Sequence, residues 1–303
     1  LTYLLHDSSL SASRWSTMNS GTIRIGVSGW TYEPWRGVFY PRDLKREQEL
    51  GYAASQFRCL EINATFYGLQ RPEMFGYWAD QVPAGFVFPV RGPRLITHEQ
   101  RLRDPLVPLA NFIASGVLRL DVHLGPIVWQ LPPNFRFQRD RIEPFLALLP
   151  HDAAAAAALA RRHDGSLPAP PWLESGPARA IRHVFDVRHE SFRCAAFVDL
   201  LRAHDVGLVC SDAAAWPRLM DVTADFVYCR LHGTAPGCGY DAAALDAWAG
   251  RIRAWAEGEE PADAERCGDK ARVRRRDVFV VFDNERKVRA PASAAELLRR
   301  LRT

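Results

Sequence analysis

Short apolar runs that turn polar at their last positions recur from Ile23 onwards, with segments of helical spacing between them. Ile23-Arg24-Ile25-Gly26-Val27-Ser28-Gly29-Trp30 ends on Ser28 and Trp30, and Cys59-Leu60-Glu61-Ile62-Asn63 ends on Glu61 and Asn63. Later runs close on Arg91, on Gln130, on Asp186 with Arg188, on Asp212, on Arg230 with His232, and on Asp283 with Asn284. Side chains alternate faces along a strand. Ser28 and Trp30 therefore share a face, as do Glu61 and Asn63, Asp186 and Arg188, and Arg230 and His232. Eight apolar strands that become polar at their C-terminal ends predict a parallel barrel whose functional end is that rim.

The intervening segments predict helices. Asp104-Pro105 reads as an N-cap followed by proline at the first helical position, opening a helix through Ser115 that stops at Gly116. Further helices are expected over 43–56, from Arg71 through Phe75 and Trp78, over 140–149 and 195–204, from Asp241 through Leu245, Trp248, Ile252 and Trp255, and over 293–301. Helices between strands imply parallel neighbours and right-handed crossovers. An open doubly wound sheet is the alternative, but no G-x-G-x-x-G follows the first strand. The expected fold class is α/β, a single TIM-like (β/α)8 barrel spanning 21–303. Residues 1–20 are Ser-rich and lack the order of a signal peptide, so they read as a disordered or appended extension. Near 151–180, a run of six alanines reads as a helix running into the Pro-rich connection Ser166-Leu167-Pro168-Ala169-Pro170-Pro171, together a solvent-exposed insertion rather than a lid.

Composition narrows the class. A chain of 303 residues fits one barrel, and 48% hydrophobic content supplies a large core. The net charge of +4 suits an anionic small molecule or phosphoester as partner. It falls short of the clustered basic footprint of a dedicated nucleic-acid binder, although nucleic acid is compatible as one phosphoester. No run approaches the ~18 apolar residues of a membrane helix, so no membrane partner is expected. The cysteines Cys59, Cys194, Cys210, Cys229, Cys238 and Cys267 form no C-x-x-C pair. They predict a reduced, cytoplasmic protein without a cysteine zinc site.

The rim residues fall into chemical groups. Arg91, Arg188 and Arg230 are permanent cations that can grip a phosphate or carboxylate with paired donors. Glu61, Asp186, His189 and His232 are the candidate acids and bases. Ser28, Trp30, Asn63, Tyr67, Gln130, Asp212 and Asp283 complete the expected substrate-binding set, with Trp30 and Tyr67 placed to stack on a base or sugar. A competing reading makes Arg188 and Arg230 structural partners of Glu61 and Asp186, because buried charges persist only when paired. No cofactor is expected. A divalent metal is the minority reading, since suitable ligand types are present but three arginines oppose a cation and no H-E-x-x-H spacing occurs. Ser28 lacks a G-x-S-x-G elbow, and His98, His123 and His204 read as packing or surface residues. The leading expectation is an enzyme acting on a phosphate- or carboxylate-bearing substrate. A phosphoester hydrolase stands ahead of a sugar-phosphate isomerase or lyase, with Glu61 or Asp186 as base and His232 or His189 as acid. The alternative is a non-catalytic sensor of an anionic metabolite.

Several segments resemble the YecE-like family, known as domain of unknown function 72. They are Gly26-Val27-Ser28-Gly29-Trp30-Thr31-Tyr32 with Trp35, Phe39-Tyr40-Pro41, Glu61-Ile62-Asn63-Ala64-Thr65-Phe66-Tyr67, and Ile96-Thr97-His98. Gly125-Pro126, Gln130-Leu131-Pro132-Pro133-Asn134-Phe135, Arg188-His189, and Thr223 to Tyr228 with Arg230-Leu231-His232-Gly233 follow in order. The resemblance implies a β/α barrel and no established activity. It also implies departures: a lysine is usual where Arg91 stands, Glu-Phe-Arg-His where Asp186-Val187-Arg188-His189 stands, and Trp where Phe192 stands. The family's Asn-rich end of strand eight is here Asp283-Asn284-Glu285-Arg286. Arg91 could replace a lysine that binds an anion, but not one that acts as a base, because a guanidinium keeps its proton.

Overall fold

A computed structural model describes residues 21–233, 239–284 and 287–302. The expected extension over 1–20, together with Cys238, Glu285 and Arg286, lies outside the described residues. The strands are β1 (Ile23–Ser28), β2 (Cys59–Glu61), β3 (Phe88–Arg91), β4 (Leu124–Gln130), β5 (His183–Asp186), β6 (Gly207–Ser211), β7 (Phe226–Leu231) and β8 (Asp277–Phe282). They pair in the order β2-β1-β8-β7-β6-β5-β4-β3, and every pair is parallel. Backbone bonds from Leu60 to Val87 (3.3 Å), Ile62 to Pro89 (2.8 Å) and Arg91 to Ile62 (3.1 Å) join β2 to β3 and close the ring. The expected barrel is the fold.

Strand alternation sorts the buried residues into two sets. Cys59, Val87, Val128, Val184, Val209, Phe226, Tyr228, Phe279 and Val281 form one cluster inside the barrel, separate from the larger core between strands and helices. Two positions beyond six of these residues stand Glu61, Gln130, Asp186, Ser211, Arg230 and Asp283, so the same parity carries polar side chains to the rim. At the opposite end, Arg182 pairs with Asp225 (3.0 Å) and Asp277 (2.8 Å), and Arg24 with Asp277 (3.5 Å).

The helices are α1 (Glu49–Gln56), α2 (Ala64–Tyr67), α3 (Pro72–Asp80), α4 (Leu106–Ala114), α5 (Arg139–Leu146), α6 (Ala153–Ala160), α7 (Ala195–Ala203), α8 (Ala242–Glu257) and α9 (Ala290–Arg302). Several differ from expectation. The helix expected from Asp43 begins at Glu49, after a 3-10 turn over Arg46–Gln48. Asp104 does not cap α4: it takes φ of 42°, and Pro105 holds the cap position. The six-alanine run is a helix exposed on one face and packed on the other. Asp152 caps it by accepting from the Ala155 N–H (2.7 Å), and Ala156 and Ala160 are wholly buried where α6 packs on α4. A methyl is all that alanine places between two helices, which allows them to pack closely. The Pro-rich stretch after it runs along the surface. The β6–β7 connection, 212–225, carries no helix. Among the described residues, no helix is long and apolar enough to cross a membrane.

Candidate functional site

Arg230 is the centre of the rim, with none of its side chain exposed. Its Nη2 donates to Glu61 Oε1 (2.6 Å), its Nε to Asp283 Oδ2 (3.0 Å), and its Nη1 lies 3.5 Å from Asp186 Oδ2. Burial alone would lower its pKa, but Glu61, Asp283 and Asp186 together hold it well above the usual arginine value. Glu61 is equally occupied. It accepts from Ser28 Oγ (3.0 Å) on the oxygen that Arg230 grips, and from the Tyr228 hydroxyl (2.7 Å) on the other. Asn63 Nδ2 donates to Ser28 Oγ (3.0 Å) and so holds that hydroxyl in line. Arg230 is therefore a buried keystone for carboxylates. The expected three-arginine grip separates into one inward cation and two that remain at the mouth.

Those two are Arg91 and Arg188. Arg91 lies over the Phe66 ring, 3.9 Å from its centroid, and donates through Nη2 to Gln130 Oε1 (2.6 Å). Arg188 lies over Trp216 at 3.8 Å, and its Nη2 is 3.9 Å from Asp186 Oδ2, a loose pairing. Burial depresses both guanidinium pKa values, and the neighbouring Arg230 adds to the effect. Such cations gain from an added anion, because Phe66, Trp216 and the Gln130 amide neutralise no charge and Asp186 meets Arg188 only at 3.9 Å.

His232 stands beside them. Its Nδ1 is 3.2 Å from the Asp283 carbonyl, which can only accept, so Nδ1 carries the proton and Nε2 is a lone pair. Burial pushes its pKa down, and Arg230 contributes, against the pull of Asp283, Asp186 and Asp212. The imidazole is thus a neutral base, where the sequence suggested an acid. Asp212 serves the loop: its carboxylate accepts from the His232 N–H (2.7 Å) and from the Tyr240 hydroxyl. Burial raises the Asp212 pKa against both of those bonds. His189 caps the 3-10 turn over Glu190–Phe192, its Nδ1 accepting from the Ser191 N–H (3.0 Å). Trp30 packs edge-on against Trp78 at 5.8 Å, on the helix side, while Tyr67 is 72% exposed.

Among the described residues, several buried polar atoms at this end have no hydrogen-bond partner, as do others elsewhere, Arg24 Nε among them. At this end they include Arg91 Nε, Asp186 Oδ1, Arg188 Nε, Ser211 Oγ, His232 Nε2 and both amide atoms of Asn284. Native interiors rarely leave such groups unpaired, and each needs a reason. By contrast, a cavity of about 550 Å³ at the N-terminal end of the barrel is lined by Arg24, Arg58, Arg253 and Leu298 among others, away from these groups.

Four contributors were not expected. Tyr228 and Ser211 lie on the barrel-facing parity of Arg230 and Val209, so strand alternation could have found them. Trp216 comes from the helix-free β6–β7 connection, where no period marks it. His98, read from sequence as a packing residue, hydrogen-bonds Thr97 Oγ1 through Nδ1 (2.9 Å) and meets the Phe66 ring edge-on at 5.1 Å. Among the described residues, no three His, Cys, Asp or Glu side chains are grouped as a metal would need.

Known proteins share the frame. Residues 24–303 match the family model "Protein of unknown function DUF72". The UPF0759 protein YecE of Escherichia coli K12 is 32% identical over 125 residues, which is 38% of this chain and 43% of that protein. The UPF0759 protein YunF of Bacillus subtilis is 24% identical over 125 residues, 40% of this chain and 43% of that one. The chain thus spans less than half the length of the curated relatives it matches. A DUF72 family crystal structure from Thermotoga maritima superposes with a TM-score of 0.67 at 22% identity, covering 93% of this chain and 100% of its own. Another, from Enterococcus faecalis, gives 0.62 at 14% identity over 94% and 99%. These likenesses carry the barrel and no activity. With the family model covering nearly all of the barrel, the chain belongs to DUF72, a family of proteins of unknown function.

Proposed function

We propose that the C-terminal rim is the active site of a phosphoester hydrolase. The observation that carries this reading is the convergence of unpartnered buried atoms of opposite character: Arg91 Nε and Arg188 Nε as donors, Asp186 Oδ1 and His232 Nε2 as acceptors. A phosphoryl group offers oxygens to the first pair, and the attacking water offers protons to the second. Arg91 and Arg188 hold the phosphoryl oxygens and stabilise their growing charge. His232 Nε2 takes the proton of the water as its oxygen attacks phosphorus, while Asp186 Oδ1 accepts that water's other hydrogen and orients it. The bond to the leaving oxygen then breaks, and that oxygen takes up a proton. Glu61 and Arg230 work one step back, fixing Asp186 in place.

Calorimetry with inorganic phosphate, combined with turnover of an aryl phosphate, tests the reading. Arg188→Ala should weaken phosphate binding about tenfold or more with the circular dichroism spectrum kept, since a charge-assisted contact is removed. His232→Gln should keep that binding and lose turnover by about a hundredfold or more. Phosphate affinity unchanged in Arg188→Ala would overturn the anion site. Tight binding without turnover in the unsubstituted protein would favour the sensor.

A further inference from the structure

The segment that follows Arg91 has an unusual backbone. Leu95–Glu99 forms a π-helical turn closed by Gln100 N–H on the Leu95 carbonyl (2.8 Å). Beyond it, Arg101, Leu102 and Asp104 all take left-handed φ values, 53°, 63° and 42°. Side chains with a Cβ seldom adopt that conformation, and clusters of such residues and π-turns mark sites where a side chain must be aimed. Leu102 is buried, and its N–H reaches the Ile96 carbonyl (2.9 Å), so packing enforces the path. Arg101 is fixed outside by bonds to Asn134 Oδ1 (2.9 Å) and Asn134 O (3.1 Å).

The residue this turn presents is His98. It shares the Phe66 ring with Arg91, the guanidinium on the face at 3.9 Å and the imidazole against it edge-on at 5.1 Å. Its Nδ1 meets Thr97 Oγ1, which also reaches the Pro93 carbonyl (3.4 Å). Burial lowers the His98 pKa to about 4, and the charged groups acting on it are Arg91 and Arg188 from the strand ends and Arg94 and Arg101 from its own segment. All four are cations. Of these, Arg94 has Glu99 at 3.3 Å, while Arg91 and Arg188 face the mouth.

Resting on the phosphoester-hydrolase reading above, we propose that His98 is the general acid of the site and that its substrate is a phosphate monoester dianion. A dianion seated on Arg91 and Arg188 offsets their repulsion of the imidazole and sets two negative charges against the burial that also keeps it neutral, and His98 then takes a proton from solvent. As the phosphorus–oxygen bond breaks, its electron pair goes to the leaving oxygen, and the His98 proton joins that oxygen to give the free alcohol. His232 keeps the proton of the attacking water, and exchange of both with solvent restores the site. A diester carries one negative charge and lifts the suppression less. The site is therefore selective for the dianion.

Sulfate is the probe, because it is a dianion across the working range and takes up no proton itself. Sulfate titrated at about pH 6 in two buffers of different ionisation enthalpy should bind with uptake of about half a proton or more per site. His98→Gln should bind sulfate with that uptake reduced to near zero, and His232→Gln should retain it. The His98 ring resonances, followed by NMR, should titrate at higher pH with sulfate than without. Sulfate binding with no uptake, or uptake unchanged in His98→Gln, would overturn the inference while leaving the anion site standing. Failure of sulfate and phosphate alike to bind would remove the underlying hydrolase reading instead.

Discussion

At the scale of single residues, two arginines of the same type have opposite fates, and burial decides between them. Arg230 is wholly enclosed and faces Glu61, Asp186 and Asp283, whereas Arg188 keeps 15% of its side chain exposed and rests on an indole. Removing one partner from a buried charge network leaves the others desolvated and unmatched. Arg230→Met should therefore lower stability by about 3–5 kcal/mol in denaturant unfolding. Arg188→Ala should move it by no more than about 1 kcal/mol, as for a partly exposed pair. Comparable losses in both would mean that Arg188 is also structural. Their difference was not legible in the sequence, because both stand on barrel-facing positions of apolar strands. Only the closed ring brings three carboxylates to one of them.

At the scale of elements, strand positions and rim residues were readable because alternation is a local property. The chemistry contributed by His98 and Trp216 was not, since a π-turn and a helix-free connection have no period to read. The alanine helix misled for a related reason: exposure depends on α4, which the run itself does not reveal. One glycine ties elements together. A Cβ on Gly92, the residue after β3, would stand 2.3 Å from the Trp129 ring on β4. That indole is fully buried, and its Nε1–H donates to His183 Nδ1 (3.1 Å), so it cannot swing aside freely. Gly92→Ala should destabilise by about 1–3 kcal/mol through overpacking, read as a lowered Tm. It should also weaken phosphate binding, because Arg91 is the adjacent residue. A neutral Gly92→Ala would show that β3 and β4 have slack at the rim.

At the scale of the molecule, the two ends of the barrel carry different electrostatics. The N-terminal end pairs Arg24 and Arg182 with Asp225 and Asp277, while at the C-terminal mouth, among the described residues, Arg188 has only Asp186 at 3.9 Å and Arg91 has no carboxylate within ion-pair distance. A divalent ion ~5 Å from a guanidinium meets several kcal/mol of repulsion even at an effective dielectric near 20. Elemental analysis of protein purified without chelator should accordingly find no stoichiometric transition metal. One equivalent of zinc or manganese, lost in both Asp186→Asn and His232→Gln, would make metal-assisted hydrolysis the mechanism instead.

The ring is also fastened unevenly. β1 and β8 are in register over five residue pairs, from Ile23 with Val278 to Val27 with Phe282. β2 and β3 are joined by bridges at Cys59 with Val87 and Ile62 with Val90 and the backbone bonds around them, and Pro89 has no N–H to add to that ladder. The barrel behaves as a bracelet with its clasp between β2 and β3, beneath Glu61 on one side and Arg91 on the other. If that clasp is the weakest seam, the amide of Arg91 should exchange with deuterium faster than those of Val278 and Val280, read by hydrogen-exchange mass spectrometry.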